Sequence, residues 1–258
     1  FHIPRSGSTT IEDIMGVCVG LVVISKSGAK AANDAGADNL ESFRTPWGAT
    51  YVNIDASSIN GIIQMREAKF IQGAGLGNLI NSQYFYQISS LFNEKQKARM
   101  FTLLRHPVER ATSLFYAQEA ETQADDGRRY LFVKPNSQHR NLSIEKWVRT
   151  SNDKDENNWI TRSLANVREG DDVTKDHLEF AKKILLEKCL VGLLELKDES
   201  VERFFAYFQI KLENVEAREC VAKFLHWGWS KGDLHHPILE EGSSAYNLIA
   251  EMNMYDME

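Results

Sequence analysis

The sequence predicts an α/β protein of three layers, a central parallel sheet flanked by helices. Short β-branched runs alternate with stretches of helical periodicity along most of the chain. Strands separated in this way by helices pair in parallel, with the helices covering both faces. The length, 258 residues, suits one large domain spanning 1–258.

The elements follow in order. Ile11 to Val19 reads as a helix running into Leu21 to Ser25, a buried strand by its β-branched density. Ser25 to Gly48 is small and polar and is expected to be a long surface excursion. The run "ATYVNIDASS" is the next strand, ending on an Asp/Ser helix-start signal. Ile59 to Phe70 is the helix after it, broken by "QGAGLGN", and Tyr84 to Phe92 is another. "ARMFTLLRHP" is a strand stopped by Pro107, with Val108 to Gln118 helical behind it. "DDGRRYLFVKPNSQHRN" is loop, and helical patterns follow at Ile144 to Arg149, Asn157 to Asn166 and Thr174 to Glu187. "CLVGLLE" is a late strand, Lys197 to Phe208 a strongly amphipathic helix, and the tail from Trp227 is irregular.

Composition bounds the function. A hydrophobic fraction of 43% with 26% charge is that of a globular protein, and a net charge of −6 argues against nucleic acid as a partner. Any anion site must therefore be a local concentration of base. Cys18 and Cys189 lie in apolar runs and are expected to be buried free thiols, while Cys220 can pair with either. The best apolar run, Ile14 to Ile24, is too short to span a bilayer. The chain starts on "FHIPR" without methionine, so residues are expected upstream, where a membrane anchor or targeting peptide would lie.

Two turns carry chemistry. In "HIPRSGSTTIEDIMG" an apolar lead enters a glycine turn and then a helix. Helix-start N–H groups are unpaired and the dipole adds positive charge. Gly7 permits close approach, Ser6, Ser8, Thr9 and Thr10 offer hydroxyls, and Arg5 brings a delocalised cation. The bland alternative is a capped helix, with Thr9 and Glu12 as a capping box. In "FTLLRHPVERATSLFY" a strand ends at Arg105, Pro107 opens a helix, and Arg110 and Ser113 follow. Here the bland alternative is Arg105 paired with Glu109. "GAGLG" lacks the surroundings of a dinucleotide fingerprint, and no Walker A loop occurs.

The pair of turns resembles the sulfotransferase superfamily, whose donor is 3′-phosphoadenosine 5′-phosphosulfate (PAPS), and is closest in motif to the Golgi carbohydrate (heparan-sulfate-like) sulfotransferases. The first is similar to the 5′-phosphosulfate loop, commonly His-Ile-Pro-Lys-Thr-Gly-Gly-Thr-Thr. The second is similar to the 3′-phosphate motif, Leu-Arg-(Asp/His)-Pro-x-x-Arg-x-x-Ser-x-(Phe/Tyr)-Tyr. The resemblance implies a P-loop-like fold in which Arg5, Ser6, Gly7, Ser8, Thr9 and Thr10 hold the phosphosulfate, and Arg105 and Ser113 the 3′-phosphate. "ENNWITRSL" resembles a further family segment and puts Arg162 near the nucleotide. "NMYDME" resembles a terminal Asn-x-x-Asp pattern that usually continues. Arg5 replaces the usual loop lysine; tyrosylprotein sulfotransferases carry a similar Pro-Arg-Ser-Gly-Thr-Thr loop.

By this resemblance the chain is an enzyme of the Golgi or secretory pathway. It moves a sulfuryl group from PAPS to a hydroxyl of a glycan or similar acceptor, needs no metal, and has Arg5 steady the bridging oxygen. In-line transfer needs positioning, charge neutralisation and a general base. Asp55, at the end of "YVNID", is the first candidate, or else a helix N-cap. His106, beside Arg105, and His2, before the loop, are the others. "LHHP" (His235, His236) is the nearest thing to a metal motif, but adjacent histidines project differently. Trp147, Trp159, Phe204, Phe205, Tyr207 and Phe208 are expected in the core, "DKDEN" in a solvated loop, and Asn141-Leu142-Ser143 is a glycosylation sequon. One alternative is an inactive protein of this fold acting as scaffold or subunit of an assembly; a nucleotide kinase is another, disfavoured by the missing Walker lysine.

Overall fold

A computed structural model describes residues 1–35, 40–73, 76–123, 142–150, 157–168, 170–226 and 236–258. They form a mixed α/β structure whose contacts fall into two compact units, Phe1–His2 with Gly7–Leu103 and Leu190–Lys231, and Ile3–Ser6 with Leu104–Cys189 and Gly232–Glu258.

In the first unit, α1 (Ser8–Asp13) runs into a π-helical turn, Ile14–Cys18, and then β1 (Val22–Ile24), α2 (Lys26–Ala35), β2 (Ser42–Arg44), β3 (Thr50–Val52), α3 (Ile59–Glu67), α4 (Phe70–Gly73), β4 (Leu79–Ile80) and α5 (Phe85–Ser89). The sheet order is β2-β3-β1-β4, with β1 parallel to β3 and β4, and β2 antiparallel on the edge. The register pairs Val23 with Tyr51 and Ile24 with Val52. Because strand side chains alternate, Val23 and Tyr51 pack on one face with Ala49 and Val17, and Ile24 and Val52 on the other with Ile62 and Met65 of α3. Both faces are thus covered.

The predicted single parallel sheet is corrected in two ways. The sheet is mixed, and β5 (Met100–Leu104) pairs only with β6 (Cys189–Leu193) in a separate two-stranded sheet. The surface excursion expected at 25–48 contains α2 and β2. Two further helices were not anticipated, α11 (Val215–His226) and α12 (Ser244–Met252). By contrast α10 (Lys197–Phe208) has the predicted bounds, since Val201, Phe204 and Phe205 recur on its buried side. That side packs with Ile11, Ile14, Met15, Val221 and Phe224. Cys18 is not a free thiol. It closes a disulfide with Cys220 of α11 across 202 positions, and Cys189 is the cysteine outside that bond. Tyr207 is exposed rather than buried, its ring 5.4 Å from the Arg99 guanidinium.

The second unit holds α6 (Pro107–Gln123), α7 (Ile144–Thr150), α8 (Trp159–Ala165), α9 (Lys175–Lys188) and α12. Its core joins Val108, Ala111 and Phe115 of α6 to Ile144 and Trp147 of α7 and to Ala245 and Ile249 of α12. The two segments singled out by "ENNWITRSL" and "NMYDME" meet here. Asp256 accepts hydrogen bonds from the N–H groups of Ile160 (2.9 Å) and Thr161 (2.8 Å), and so caps α8. Asn158 in turn accepts from the N–H groups of Tyr255 and Asp256. No helix among the described residues is long and apolar enough to cross a membrane. The whole predicted 125–141 loop with Asn141, "DKDEN" up to Glu156, and residues 227–235 with His235 lie outside them.

Candidate functional site

Arg105 leaves the end of β5 just before Pro107 starts α6, where the missing N–H of proline costs nothing. Its guanidinium meets Arg5, Glu109 and His236. Nη1 donates to the Arg5 carbonyl (3.2 Å), and Nη2 lies 3.4 Å from Glu109 Oε2 and 3.1 Å from His236 Nε2. The expected pairing with Glu109 therefore exists, but as one contact of a convergent group. Arg5 adopts φ 67°, the left-handed region that costs a non-glycine residue about 1–2 kcal/mol. It sits in a turn closed by the Ser6 N–H on the Ile3 carbonyl (3.3 Å), and is tied further by the bond from Arg105 and by its own Nε donating to Ser113 Oγ at 2.9 Å. Ser113 is buried on α6, and Ser6 is buried with a hydroxyl that has no hydrogen-bond partner among the described residues. Arg110 is also buried, its guanidinium 5.7 Å from the Trp159 ring.

The Arg of the first turn and the Arg and Ser of the second are thus in direct contact within the second unit. Three arginines and one glutamate there make a local positive field in a chain of net charge −6. A phosphate or sulfate ester offers only acceptors, which suits a corner furnished with guanidinium and hydroxyl donors.

The rest of the loop belongs to the first unit. Gly7 is the N-cap of α1 at φ 77°, which strains any other residue, and a Cβ there would lie 2.6 Å from Leu194 Cδ1, so that side-chain tip would also have to shift. No side chain caps α1, and the capping box expected from Thr9 and Glu12 is absent. Glu12 instead accepts from Ser25 Oγ (2.7 Å) and from the Asn81 amide. Burial drives its carboxyl above the usual range, and that of Asp13 up to about 7 with Glu12 adding to it. Ser8, Glu12, Asn81 and Thr102 line a cleft of about 30 Å³, room for one or two waters. Thr9 and Thr10 are half-buried on the first turn of α1.

The remaining candidates are dispersed. Asp55 is not the N-cap of α3. Ser58 is, accepting from Gly61 N–H, while Asp55 Oδ1 accepts from the N–H (2.8 Å) and Oγ (2.6 Å) of Ser57. Gly61 passes so close that a Cβ would meet the Asp55 carbonyl oxygen. His2 is buried, its pKa pushed down to about 4 chiefly by that burial. His106 is half-buried, its ring 6.2 Å from that of Tyr246. The Arg162 guanidinium donates to the carbonyls of Asn157, Arg168 and Asp171, which fastens the ends of α8. His236 was missed as a site residue; its only signal in the sequence was its place in "LHHP". A scan against protein-family models finds no match for the chain, and a search of curated proteins finds none.

Proposed function

We propose that the chain is a PAPS-dependent sulfotransferase of the P-loop-like, three-layer fold, acting on a hydroxyl of a glycan or similar acceptor. The observation that carries this reading is the Arg5–Ser113–Arg105 contact. Two turns a hundred residues apart, each with the residues of an oxyanion site, are held together by hydrogen bonds of 2.9 and 3.2 Å. In this reading Arg105 and Ser113 receive the 3′-phosphate of the nucleotide. Arg5 receives the phosphosulfate, turning from Ser113 to the oxygen that bridges phosphorus and sulfur. As the S–O bond to that oxygen breaks, the charge left on adenosine 3′,5′-bisphosphate meets a guanidinium already in place. The acceptor oxygen forms the new S–O bond and gives its proton to a base. We assign that role to His106, next to Arg105, because Asp55 is engaged by Ser57 and burial makes His2 a weak base. The Cys18–Cys220 disulfide supports a secretory location, since such bonds persist in oxidising compartments.

Calorimetric titration with adenosine 3′,5′-bisphosphate tests the reading. The native chain is expected to bind it, and Arg105→Ala to bind it about 10–100-fold more weakly, the loss of a charged hydrogen-bond partner. A native Kd weaker than millimolar, or an unchanged affinity in Arg105→Ala, overturns it. The engagement of Asp55 by Ser57 and the burial of His2 favour a second reading, a nucleotide-binding scaffold without turnover. Bisphosphate binding with no sulfuryl transfer to any hydroxyl acceptor would select it.

A further inference from the structure

We propose that His236 is a third arm of the phosphate-binding corner and takes up a proton when phosphate binds there. The inference rests on the reading of Arg105 and Ser113 as a phosphate site. It starts from a contact that neither turn motif contains. His236 Nε2 lies 3.1 Å from Arg105 Nη2, and its Nδ1 lies 3.1 Å from the carbonyl oxygen of Pro237. A guanidinium only donates and a carbonyl only accepts. The imidazole must therefore carry its hydrogen on Nδ1 and present a lone pair on Nε2 to Arg105, which is the neutral ring in a single tautomer.

The ring is also oriented. It stacks on Tyr116 with 5° between the planes and 5.9 Å between centroids. Tyr116 lies three residues beyond Ser113 on α6, so both are carried on one side of that helix. His236 is thereby held at the guanidinium by two independent contacts, from α6 and from the chain after β5.

A bound phosphate ester changes what this nitrogen faces. Its oxygens accept from Arg105 and from the Ser113 hydroxyl, and an unprotonated Nε2 would then oppose an oxygen, lone pair to lone pair. A proton taken from solvent forms an Nε2–H bond and turns the ring into a donor with positive charge beside a dianion. No other bond is made or broken. The charged and titratable groups near the ring are Arg105, Glu109 and Tyr116. Glu109, behind Arg105 on α6, remains in both states, and the Tyr116 phenol is held above its usual range by burial and by Glu119 and Glu145. A dianion within hydrogen-bond reach favours the protonated form of an imidazole.

The test is calorimetry of the full chain with adenosine 3′,5′-bisphosphate and, separately, with inorganic phosphate. Each is run at pH 7.5 in two buffers of different ionisation enthalpy, which counts protons. The native protein is expected to take up between about half a proton and one per site, and its affinity to rise toward tenfold per pH unit as pH falls from 8.5 to 7. His236→Gln can still accept from Arg105 but cannot charge. It should lose the uptake and bind about tenfold more weakly at pH 7 than the native chain, with little difference at pH 8.5. Bisphosphate binding without proton uptake, or with uptake unchanged in His236→Gln, overturns the inference and leaves the sulfotransferase reading standing. His236-dependent uptake with inorganic phosphate, and a bisphosphate no tighter, keeps the inference and removes the nucleotide. Binding of neither overturns both.

Discussion

Arg5 is the residue on which the proposed site depends. Left-handed backbone at an arginine is costly, and here it falls at the third position of a turn that Pro4 enters and the Ser6 N–H closes on the Ile3 carbonyl, with bonds to Ser113 and Arg105 anchoring that turn. At the same scale the role proposed for His106 is separable. His106→Ala is expected to lower kcat by about 10²–10⁴-fold, the usual contribution of a general base, with bisphosphate affinity unchanged within about threefold. Steady-state kinetics with PAPS and a hydroxyl acceptor, beside a bisphosphate titration, separates the two; a loss confined to affinity would remove His106 from the chemistry. The residues that meet at this corner were legible in the sequence, because Arg5, Arg105 and Ser113 stand in turns that proline and glycine mark. His236 was not. It reaches Arg105 from 131 positions away, and no local pattern announces such a contact. Arg162 was legible as a residue but not in its bonding, since backbone carbonyls that receive a guanidinium leave no trace in the sequence.

Among the elements, α1 sets a pH dependence. Asp13 has a folded-state pKa of about 7 against an ordinary value of 3.8, so between these the folded state keeps a proton the unfolded chain releases. Stability contributed this way is full at low pH and is lost as pH rises from about 4 through 7. His2 has the opposite sign. Its pKa of about 4 lies below the ordinary 6.5, so its share is full above 6.5 and is lost as pH falls toward 4. The two oppose each other across the same window. Asp13→Asn removes only the first, and urea unfolding should show the variant gaining stability over the native chain at pH 7.5 relative to pH 4. A constant difference at the two pH values would contradict this. Legibility differed among elements for physical reasons. The apolar side of α10 marks both its ends, whereas α2 is rich in Ala and Lys and lacks a bulky apolar stripe. Helix α12 did have a start signal, Ser243 accepting from Tyr246 N–H, but the polar residues before it masked the change to helix.

On the scale of the whole molecule, the Cys18–Cys220 bond closes a ring across 202 positions, within which lie residues of both units. A constraint of that length restricts the unfolded chain strongly, and removing a native disulfide typically costs about 2–5 kcal/mol. Cys220→Ser, or the native chain with a dithiol reductant, is expected to melt on the order of 10 °C lower in a thermal scan. An unchanged Tm would mean that the unfolded chain gains little freedom from the cut. Cysteine spacing alone did not identify this bond, because three cysteines allow several pairings and only the packing of α11 beside the π-helical turn selects one.

That bond also bears on how material for any assay should be made. Expression in a bacterial cytoplasm would deliver the two thiols, whereas export to the periplasm would deliver the closed form. Preparations from the two routes, or stored with and without mercaptoethanol, should be treated as different samples when donor affinities are compared.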